Sequence, residues 1–314
     1  MDKPLVVICG PTSSGKTSLS IKLAKEFGGE LVSADSRQVY RFMDVGTGKI
    51  PHQLLEGSGK REGELPSIEG IPVHLYDLVN PNVSLTVVDY ASQAWKVLED
   101  LWQKGKIPFL VGGTGFYLDV VLGRAQTAPV PPNPKLRQEL EGKSLTELNT
   151  ILKGKDEKRW QSIDQCNPRR LVRAIEIAQA GRAPSVPIVP SLDLAKVLQI
   201  GLTAPREVLY RRADTWAGEI LADGSLIKEV KDLIARGYRD CSPLQGIIYK
   251  PALDFVEGKI DGIAFADQVY HGLHAYIRRQ QTYFKRYGEI SWYDITEENF
   301  DKGVLRQVRS YLDE

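Results

Sequence analysis

Residues 10–17 read Gly-Pro-Thr-Ser-Ser-Gly-Lys-Thr and match the phosphate-loop pattern G-x-x-x-x-G-K-[ST] at every fixed position. The apolar run Leu5 to Cys9 precedes the loop, and apolar residues with helical spacing follow it. A buried strand, a glycine-rich turn and a helix are therefore predicted, and this combination directs backbone N–H groups at a polyphosphate. The loop predicts phosphate binding but does not identify the phosphate compound.

Strand and helix patterns alternate after the loop. The first helix is expected to end at Gly28-Gly29, and a short strand is predicted from Glu30 to Ser33. The apolar runs Ile107 to Val111 and Val197 to Leu202 predict further buried strands. We therefore predict an α/β fold, a P-loop doubly wound parallel sheet flanked by helices.

Two proline-rich stretches, residues 128–134 and 183–190, interrupt this alternation. The segment between them is predicted to be an inserted helical subdomain over residues 131–195. The P-loop core domain with its C-terminal helices is then expected to comprise residues 1–130 and 196–314. Residues 56–71 are rich in Gly, Ser, Lys and Glu without periodicity, which indicates a mobile surface loop.

The composition excludes several classes of protein. The 314 residues include 41 basic and 40 acidic side chains, a net charge of +1, so a polybasic nucleic-acid binder is excluded. Three widely spaced cysteines favour free thiols over a disulfide framework or a metal cluster. The first apolar run is too short for a signal sequence or a membrane span, so we expect a cytoplasmic protein that does not contact membranes.

Three residues near the loop are suited to chemistry. Lys16 can neutralise a phosphate, and the Thr17 hydroxyl can ligate Mg²⁺. Asp35 follows the second predicted strand, at the sheet edge where ligands of open α/β folds bind, and it could ligate Mg²⁺ or accept a proton. The strand Ile107 to Val111 ends in Gly112-Gly113-Thr114 and not in the acidic residue that an ATPase or GTPase needs.

Four segments together resemble the tRNA dimethylallyltransferases. They are the loop at 10–17, Ser-Ala-Asp-Ser-Arg-Gln-Val-Tyr at 33–40, Met-Asp-Val-Gly-Thr-Gly-Lys at 43–49 and Val-Gly-Gly-Thr-Gly-Phe-Tyr-Leu at 111–118. Weaker matches at 167–176 and 278–286 keep the order and spacing of the family, so the resemblance spans nearly the whole chain.

The resemblance implies that a dimethylallyl group moves from dimethylallyl diphosphate to N6 of the tRNA adenosine 3′ of the anticodon, with Mg²⁺ as cofactor. It implies that Asp35 accepts or orients the N6 proton, that Thr17 ligates the metal ion, and that Thr114 lines the channel where the flipped adenine meets the donor. Further substrate contacts are expected from Gly10, Pro11, Thr12, Ser13, Ser14, Gly15, Lys16, Thr17, Ser36, Gln38, Lys49, Gly112 and Gly113.

One position departs from the family in a way that affects the donor. Where the family usually has an arginine that faces the diphosphate, our alignment places Trp216. Arg212 lies one helical turn earlier on the same face and is expected to contact the substrate instead.

Two basic helix faces are candidate tRNA contacts, and a solvated surface is the alternative for each. The first carries Arg169, Arg170 and Arg173, and the second carries Arg278, Arg279, Lys285 and Arg286. His271 and His274 are three residues apart but lack an acidic or cysteine partner in the sequence, so packed or solvated histidines are favoured over a metal site.

The sequence leaves three alternatives to a monomeric tRNA prenyltransferase. Prenylation of a free adenine nucleotide shares the four motifs but needs neither basic helix. A nucleotide kinase is disfavoured because no lid-like arginine cluster and no second acidic strand end are apparent. A weakened RNA-binding relative is the third alternative, and Trp216 motivates it.

Overall fold

The computed structural model describes residues 3–49, 65–125, 128, 130–181, 189–190 and 192–313. The chain divides into two compact units, one formed by Met1–Arg124 with Ser191–Glu314 and the other by Ala125–Pro190. Among the described residues, no helix has the length and apolar character that a membrane span requires. The three cysteines are free thiols, as predicted.

The larger unit is built on a twisted sheet that has seven strands in the described part of the chain. Their order across the sheet is β3-β4-β2-β5-β1-β6-β7, and β3 alone runs antiparallel to its neighbour. The strands are β1 (Leu5–Cys9), β2 (Glu30–Ser33), β3 (Ser67–Ile68), β4 (Ile71–His74), β5 (Pro108–Gly112), β6 (Val197–Thr203) and β7 (Ser291–Asp294).

Helices connect these strands, so the predicted doubly wound α/β fold is confirmed. The helices of the larger unit are α1 (Lys16–Phe27), α2 (Val87–Gln103), α3 (Gly115–Val121), α8 (Arg206–Ala222), α9 (Ser225–Ala235), α10 (Tyr249–Val256), α11 (Gly262–Phe284) and α12 (Phe300–Asp313). Those of the smaller unit are α4 (Pro134–Leu140), α5 (Leu145–Lys155), α6 (Glu157–Ser162) and α7 (Pro168–Gln179).

The central strand β1 is apolar and fully buried, and it has a parallel neighbour on each side. Val6 pairs with Phe109 of β5 and with Leu198 of β6. Sheet residues such as Ile8 and Ile200 are fully buried in a core that also receives side chains of α1 and α12. The carboxyl ends of β1, β2 and β5 therefore meet at one edge of the sheet, where open α/β folds bind ligands.

A second core lies among α8, α9, α10 and α11. Leu209, Val230 and Val269 are fully buried there, and so is Met43, which comes from the segment after β2. This core attaches residues 43–48 to the helices of the C-terminal half.

The smaller unit packs α4, α5 and α7 around a leucine-rich core that includes Leu148 and Leu171. Asn167 caps α7 by accepting a hydrogen bond from the Arg170 N–H, with Pro168 as the first helical residue, as the sequence predicts. The buried carboxylate of Glu176 accepts hydrogen bonds from Arg137 at 2.8 and 2.9 Å and so joins α4 to α7.

The prediction of a loop over residues 56–71 is wrong at its C-terminal end, where the structure has a short strand. Residues 56–64 lie outside the described residues, but Ser67–Ile68 pair antiparallel with Pro72 and Ile71. Glu69 and Gly70 both have positive φ and form the tight turn between the two strands. The pairing adds β3 to the edge of the sheet, and such a two-residue strand is too short to produce a visible alternation of polar and apolar residues.

Candidate active site

The phosphate loop joins β1 to α1 in the predicted way. Gly10 has φ +139°, and a Cβ there would lie 2.3 Å from the Leu202 carbonyl oxygen of β6, so both backbone and space require glycine. Gly15 has φ +82° and turns the chain into α1, which begins at Lys16. The hydroxyl of Ser14 is buried and has no hydrogen-bond partner among the described residues.

A cleft of about 520 Å³ opens beside the loop at the carboxyl edge of the sheet. Its walls come from the loop and α1, from the ends of β2 and β5, from the segment after β2, and from α8 and α11. The polar and charged side chains in its lining are Thr12, Ser13, Lys16, Thr17, Ser18, Ser33, Asp35, Gln38, Thr47, Tyr76, Arg212, Thr215, Trp216, Glu219, Tyr276 and Gln280.

Lys16 is held in the loop itself. Its Nζ donates a hydrogen bond of 2.6 Å to the Pro11 carbonyl oxygen. Burial lowers the pKa of Lys16 to about 8, and the charge of Asp35 acts in the opposite direction. The ammonium group is therefore poorly solvated and is placed to bind an anion in the cleft.

Asp35 lies just beyond the end of β2 and lines the same cleft. Its Oδ1 accepts a hydrogen bond of 2.8 Å from the Arg37 N–H, which orients the carboxylate. Burial raises the pKa of Asp35, opposed by that hydrogen bond and by the charge of Lys16. A carboxylate with a raised pKa is a stronger base, and Asp35 shares the cleft with the Lys16 ammonium group.

The glycines after β5 allow the backbone to pack closely. A Cβ on Gly112 would lie 2.1 Å from the Ala34 carbonyl oxygen, so β5 approaches the end of β2 without a side chain between them. Thr114 Oγ1 accepts a hydrogen bond of 3.1 Å from the Ser36 N–H. Gly112 and Gly113 line the cleft, whereas Thr114 and Ser36 link the two strand ends to each other.

Gln280 is a cleft residue that sequence reasoning missed. Its Oε1 accepts a hydrogen bond of 2.8 Å from the Thr12 N–H, and its Nε2 donates one of 2.9 Å to the Gly113 carbonyl oxygen. The side chain is buried and connects the phosphate loop with the strand end of β5. Gln280 directly follows Arg278 and Arg279, and these charged neighbours favour a solvent-exposed position. Its place on the buried face of the amphipathic pattern was the one sequence feature that could have indicated burial.

Arg212 reaches the phosphate loop. Its Nε donates a hydrogen bond of 2.8 Å to the Ser13 carbonyl oxygen, and its guanidinium lies beside Gly15. Trp216, one turn later on α8, also lines the cleft and packs near Gly48. The two side chains thus lie on the same helix face, with the cation nearer the loop.

The contact of Lys49 with substrates stays a prediction, and the structure shows how its side chain is bonded. Lys49 is 1% exposed and is not part of the cleft lining among the described residues. Its Nζ donates hydrogen bonds to Asp44 Oδ1 at 2.8 Å, Asp77 Oδ1 at 2.6 Å and the Tyr40 carbonyl oxygen at 2.7 Å. The ammonium group is paired with two carboxylates and anchors the segment that begins at Tyr40.

The first basic face, on α7, is only partly free. Arg169 and Arg170 are exposed. Arg173 instead donates hydrogen bonds to Glu176 Oε2 at 3.1 Å and to the Val130 carbonyl oxygen at 2.6 Å. Its guanidinium therefore stabilises the smaller unit from within.

The second basic face, at the end of α11, shows the same division. Arg278, Arg279 and Lys285 are exposed. The Arg286 side chain is 49% exposed as well, but its guanidinium donates a hydrogen bond of 2.7 Å to the buried carboxylate of Asp119 and stacks 3.7 Å from the ring centre of Tyr283. Tyr283 also donates to Asp119, so Arg286 belongs to a polar cluster at the base of the helix.

The two histidines of α11 have different surroundings, and one of them has an acidic partner on α8 that the sequence spacing did not indicate. His274 Nε2 lies 2.8 Å from Asp214 Oδ1, and its ring stacks on Tyr210 with centroids 4.0 Å apart. His271 is exposed. Within the described part of the chain, no three His, Cys, Asp or Glu side chains gather as metal ligands.

Fold and cleft together define a class: P-loop α/β proteins in which the phosphate loop and a half-buried carboxylate at the next strand end line the same cleft. Comparison with known families agrees. Residues 38–287 match the model described as IPP transferase, and residues 3–61 match the one described as isopentenyl transferase. The chain belongs to the IPP transferase family, and the resemblance found in its motifs is confirmed.

Individual relatives are similar over almost their full length. The tRNA dimethylallyltransferase of Exiguobacterium sp. is 35% identical, covering 98% of this chain and 97% of the relative, and that of Anoxybacillus flavithermus is 33% identical over 100% and 97%. The crystal structure of a tRNA isopentenylpyrophosphate transferase from Bacillus halodurans is 32% identical, covers 99% and 97% of the two chains, and superposes with a TM-score of 0.71.

Proposed function

We propose that this enzyme transfers a dimethylallyl group from dimethylallyl diphosphate to N6 of the adenosine 3′ of the anticodon in tRNA. The observation that carries the proposal is the shared cleft, which both the phosphate loop and Asp35 line. Such a site needs no hydrolytic water, and no phosphate is transferred. The names of the full-length relatives agree with this chemistry.

In the proposed reaction, N6 of adenosine attacks the first carbon of the prenyl group. The bond from that carbon to the diphosphate oxygen breaks, and diphosphate leaves with the bonding electrons. Lys16, the amides of the loop and Arg212 stabilise the charge that develops on the leaving group. Asp35 accepts the proton from N6, a role to which its raised pKa is suited.

We also propose Mg²⁺ as the cofactor. The Thr17 hydroxyl offers a hard oxygen donor at the cleft, and protein sites that hold Mg²⁺ with substrate phosphates typically use only one or two such groups. When bound, the ion would neutralise charge on the diphosphate. Donor binding measured by calorimetry in a magnesium titration tests this, and an affinity that is unchanged by chelation of divalent ions would remove Mg²⁺ from the proposal.

tRNA is favoured over a free adenine nucleotide as acceptor. The relatives named for tRNA match this chain across both units, including residues 125–190, which contribute nothing to the described cleft lining. A small nucleotide would need only the cleft. We further propose that the protein is a monomer that acts in the cytoplasm. Light scattering of the purified protein measures its molar mass and tests the monomeric state.

Radiolabelled dimethylallyl diphosphate distinguishes the acceptors. The pure protein is incubated in parallel with unmodified tRNA, AMP, ATP or no acceptor, and label is followed into each product. Label in tRNA, located to N6 of the adenosine 3′ of the anticodon, is expected. Label in AMP or ATP alone would replace tRNA with a free nucleotide, and no transfer to any acceptor would leave an RNA-binding relative.

A further inference from the structure

Glu229 of α9 lies outside the described cleft lining but bonds to a segment that forms part of it. Its Oε2 accepts hydrogen bonds from the N–H groups of Asp44 at 2.6 Å and Val45 at 2.7 Å. Its Oε1 accepts one from the Gly46 N–H at 3.1 Å and one from the Tyr249 hydroxyl at 2.7 Å. Three consecutive backbone N–H groups thus converge on one carboxylate.

The segment is packed tightly against the helices that present Glu229. A Cβ on Gly46 would lie 2.7 Å from the Tyr249 ring and 3.0 Å from Leu226, so the backbone touches α10 and α9 directly. Met43, just before it, is fully buried in the helical core. Residues 43–46 therefore have their position fixed from the C-terminal half of the chain.

The next two residues, Thr47 and Gly48, line the cleft. The Thr47 carbonyl oxygen accepts a hydrogen bond of 3.3 Å from Gln38 Nε2. Gln38 Oε1 in turn accepts one of 2.8 Å from the Ser33 hydroxyl, at the end of β2. A continuous series of contacts thus runs from Glu229 to the strand end that carries Asp35.

We propose that Glu229 is a positioning residue, which fixes residues 44–48 so that Thr47 and Gln38 shape the acceptor side of the cleft beside Asp35. It touches no reacting atom. The inference rests on the proposed function for its kinetic consequence, but the hydrogen bonds it explains do not depend on that function. The donor side, formed by Lys16, Thr17 and Arg212, belongs to other elements and is expected to be unaffected.

Glu229→Gln is the first test variant. The amide keeps the volume of the carboxylate but offers one accepting oxygen in place of two, so hydrogen bonds to the 44–46 amides are lost. Asp232→Asn makes the same chemical change at an exposed position of the same helix and is the matched control. Tyr249→Phe removes one hydrogen bond while leaving Glu229 in place, and it serves if Glu229→Gln does not fold.

Two measurements separate positioning from general stability. Hydrogen exchange of the amides of residues 44–46 should become about tenfold faster in Glu229→Gln, since each lost bond corresponds to roughly that factor. The single-turnover rate with tRNA should fall about tenfold or more, while the dissociation constant of dimethylallyl diphosphate stays within about twofold. Asp232→Asn should match the parent protein in both measurements.

A double variant tests the route through Gln38. If Glu229 acts through Thr47 and Gln38, Gln38→Ala should remove most of the effect of Glu229→Gln, and the combined loss of rate should be well below the product of the single losses. Multiplicative losses would show that Gln38 is not on the route and would overturn this part of the proposal.

Unchanged exchange at residues 44–46 in both Glu229→Gln and Tyr249→Phe would overturn the proposal as a whole. So would a parallel decline of donor affinity, rate and melting temperature, because that pattern indicates a general loss of stability. If the parent protein transfers no prenyl group to tRNA, the proposed function fails, and the exchange rates alone then decide whether Glu229 holds the segment.

Discussion

The N–H group of Thr12 donates a hydrogen bond of 2.8 Å to Oε1 of Gln280, so a residue of α11 completes the phosphate loop. Replacing Gln280 with Ala leaves the Thr12 N–H and the Gly113 carbonyl oxygen without this partner, which costs about 1–3 kcal/mol. We expect the affinity for dimethylallyl diphosphate to fall roughly tenfold or more on that basis. Calorimetric titration measures it, with Gln281→Ala as the neighbouring control, and equal affinities in the two variants would contradict the assignment.

Substitution of Lys16 should impair donor binding, whereas substitution of Asp35 should impair the chemical step. Lys16→Ala is expected to weaken donor binding, because it removes the cation that faces the diphosphate. Asp35→Ala should leave donor affinity nearly intact and lower the single-turnover rate by about 10² to 10⁴, the usual loss for a general base. An Asp35 variant with an undiminished rate would exclude Asp35 as the base.

Donor affinity should depend on pH through Lys16. Since burial lowers the pKa of Lys16 to about 8, the charged form that attracts diphosphate is present below that pH and is lost above it. Affinity is therefore expected to decline as pH rises from 7 to 10, by up to about tenfold per unit above the pKa. Lys16→Arg keeps its charge throughout this range, so its titration curve should be flatter; parallel curves would show that another group titrates.

Arg212 should matter more in this chain than its exposed position suggests. The Arg212 guanidinium contacts the carbonyl oxygen of Ser13 in the phosphate loop. Arg212→Ala should therefore slow turnover by the equivalent of roughly 2–4 kcal/mol, as for the loss of one well-placed donor to a leaving group. Trp216→Arg in that background should partly restore the rate. A silent Arg212→Ala with no gain from Trp216→Arg would mean that the site does not use a cation on this helix.

The basic helix faces should divide into RNA contacts and structural cations. Neutralising Arg278, Arg279 and Lys285 together, or Arg169 and Arg170 together, should weaken tRNA binding and flatten its salt dependence by somewhat under one unit per lost phosphate contact. Donor affinity should not change. Unaltered salt slopes in both sets would make these surfaces merely solvated.

Arg286 and Arg173 supply the contrast within the same experiment. Arg286→Ala leaves the buried Asp119 without its nearest cation, so melting temperature should fall together with any effect on tRNA. Arg173→Ala should similarly loosen the smaller unit, which hydrogen exchange in α7 would report.

The parts of the fold set by local pattern were predictable. The loop, β1, α1 and β2 follow one another within 33 residues, and each is encoded by its own apolar spacing and glycines. The roles of Lys49 and Gln280 were not predictable, because their partners Asp77 and Thr12 are distant in sequence and only the folded sheet brings them together. A positive charge in the sequence likewise cannot show whether it meets solvent, as Arg278 does, or a buried carboxylate, as Arg286 does.

The central place of β1 also governs when the site can exist during synthesis. β1 leaves the ribosome before β5 and β6, its neighbours in the sheet, and the loop beside it obtains the Gln280 contact only after α11 has been made. Pairings between such distant segments form late, because the intervening chain must be ordered before they can. A nascent chain that ends before residue 280 therefore lacks the Gln280 contact of the phosphate loop, and the finished loop depends on the synthesis of α11.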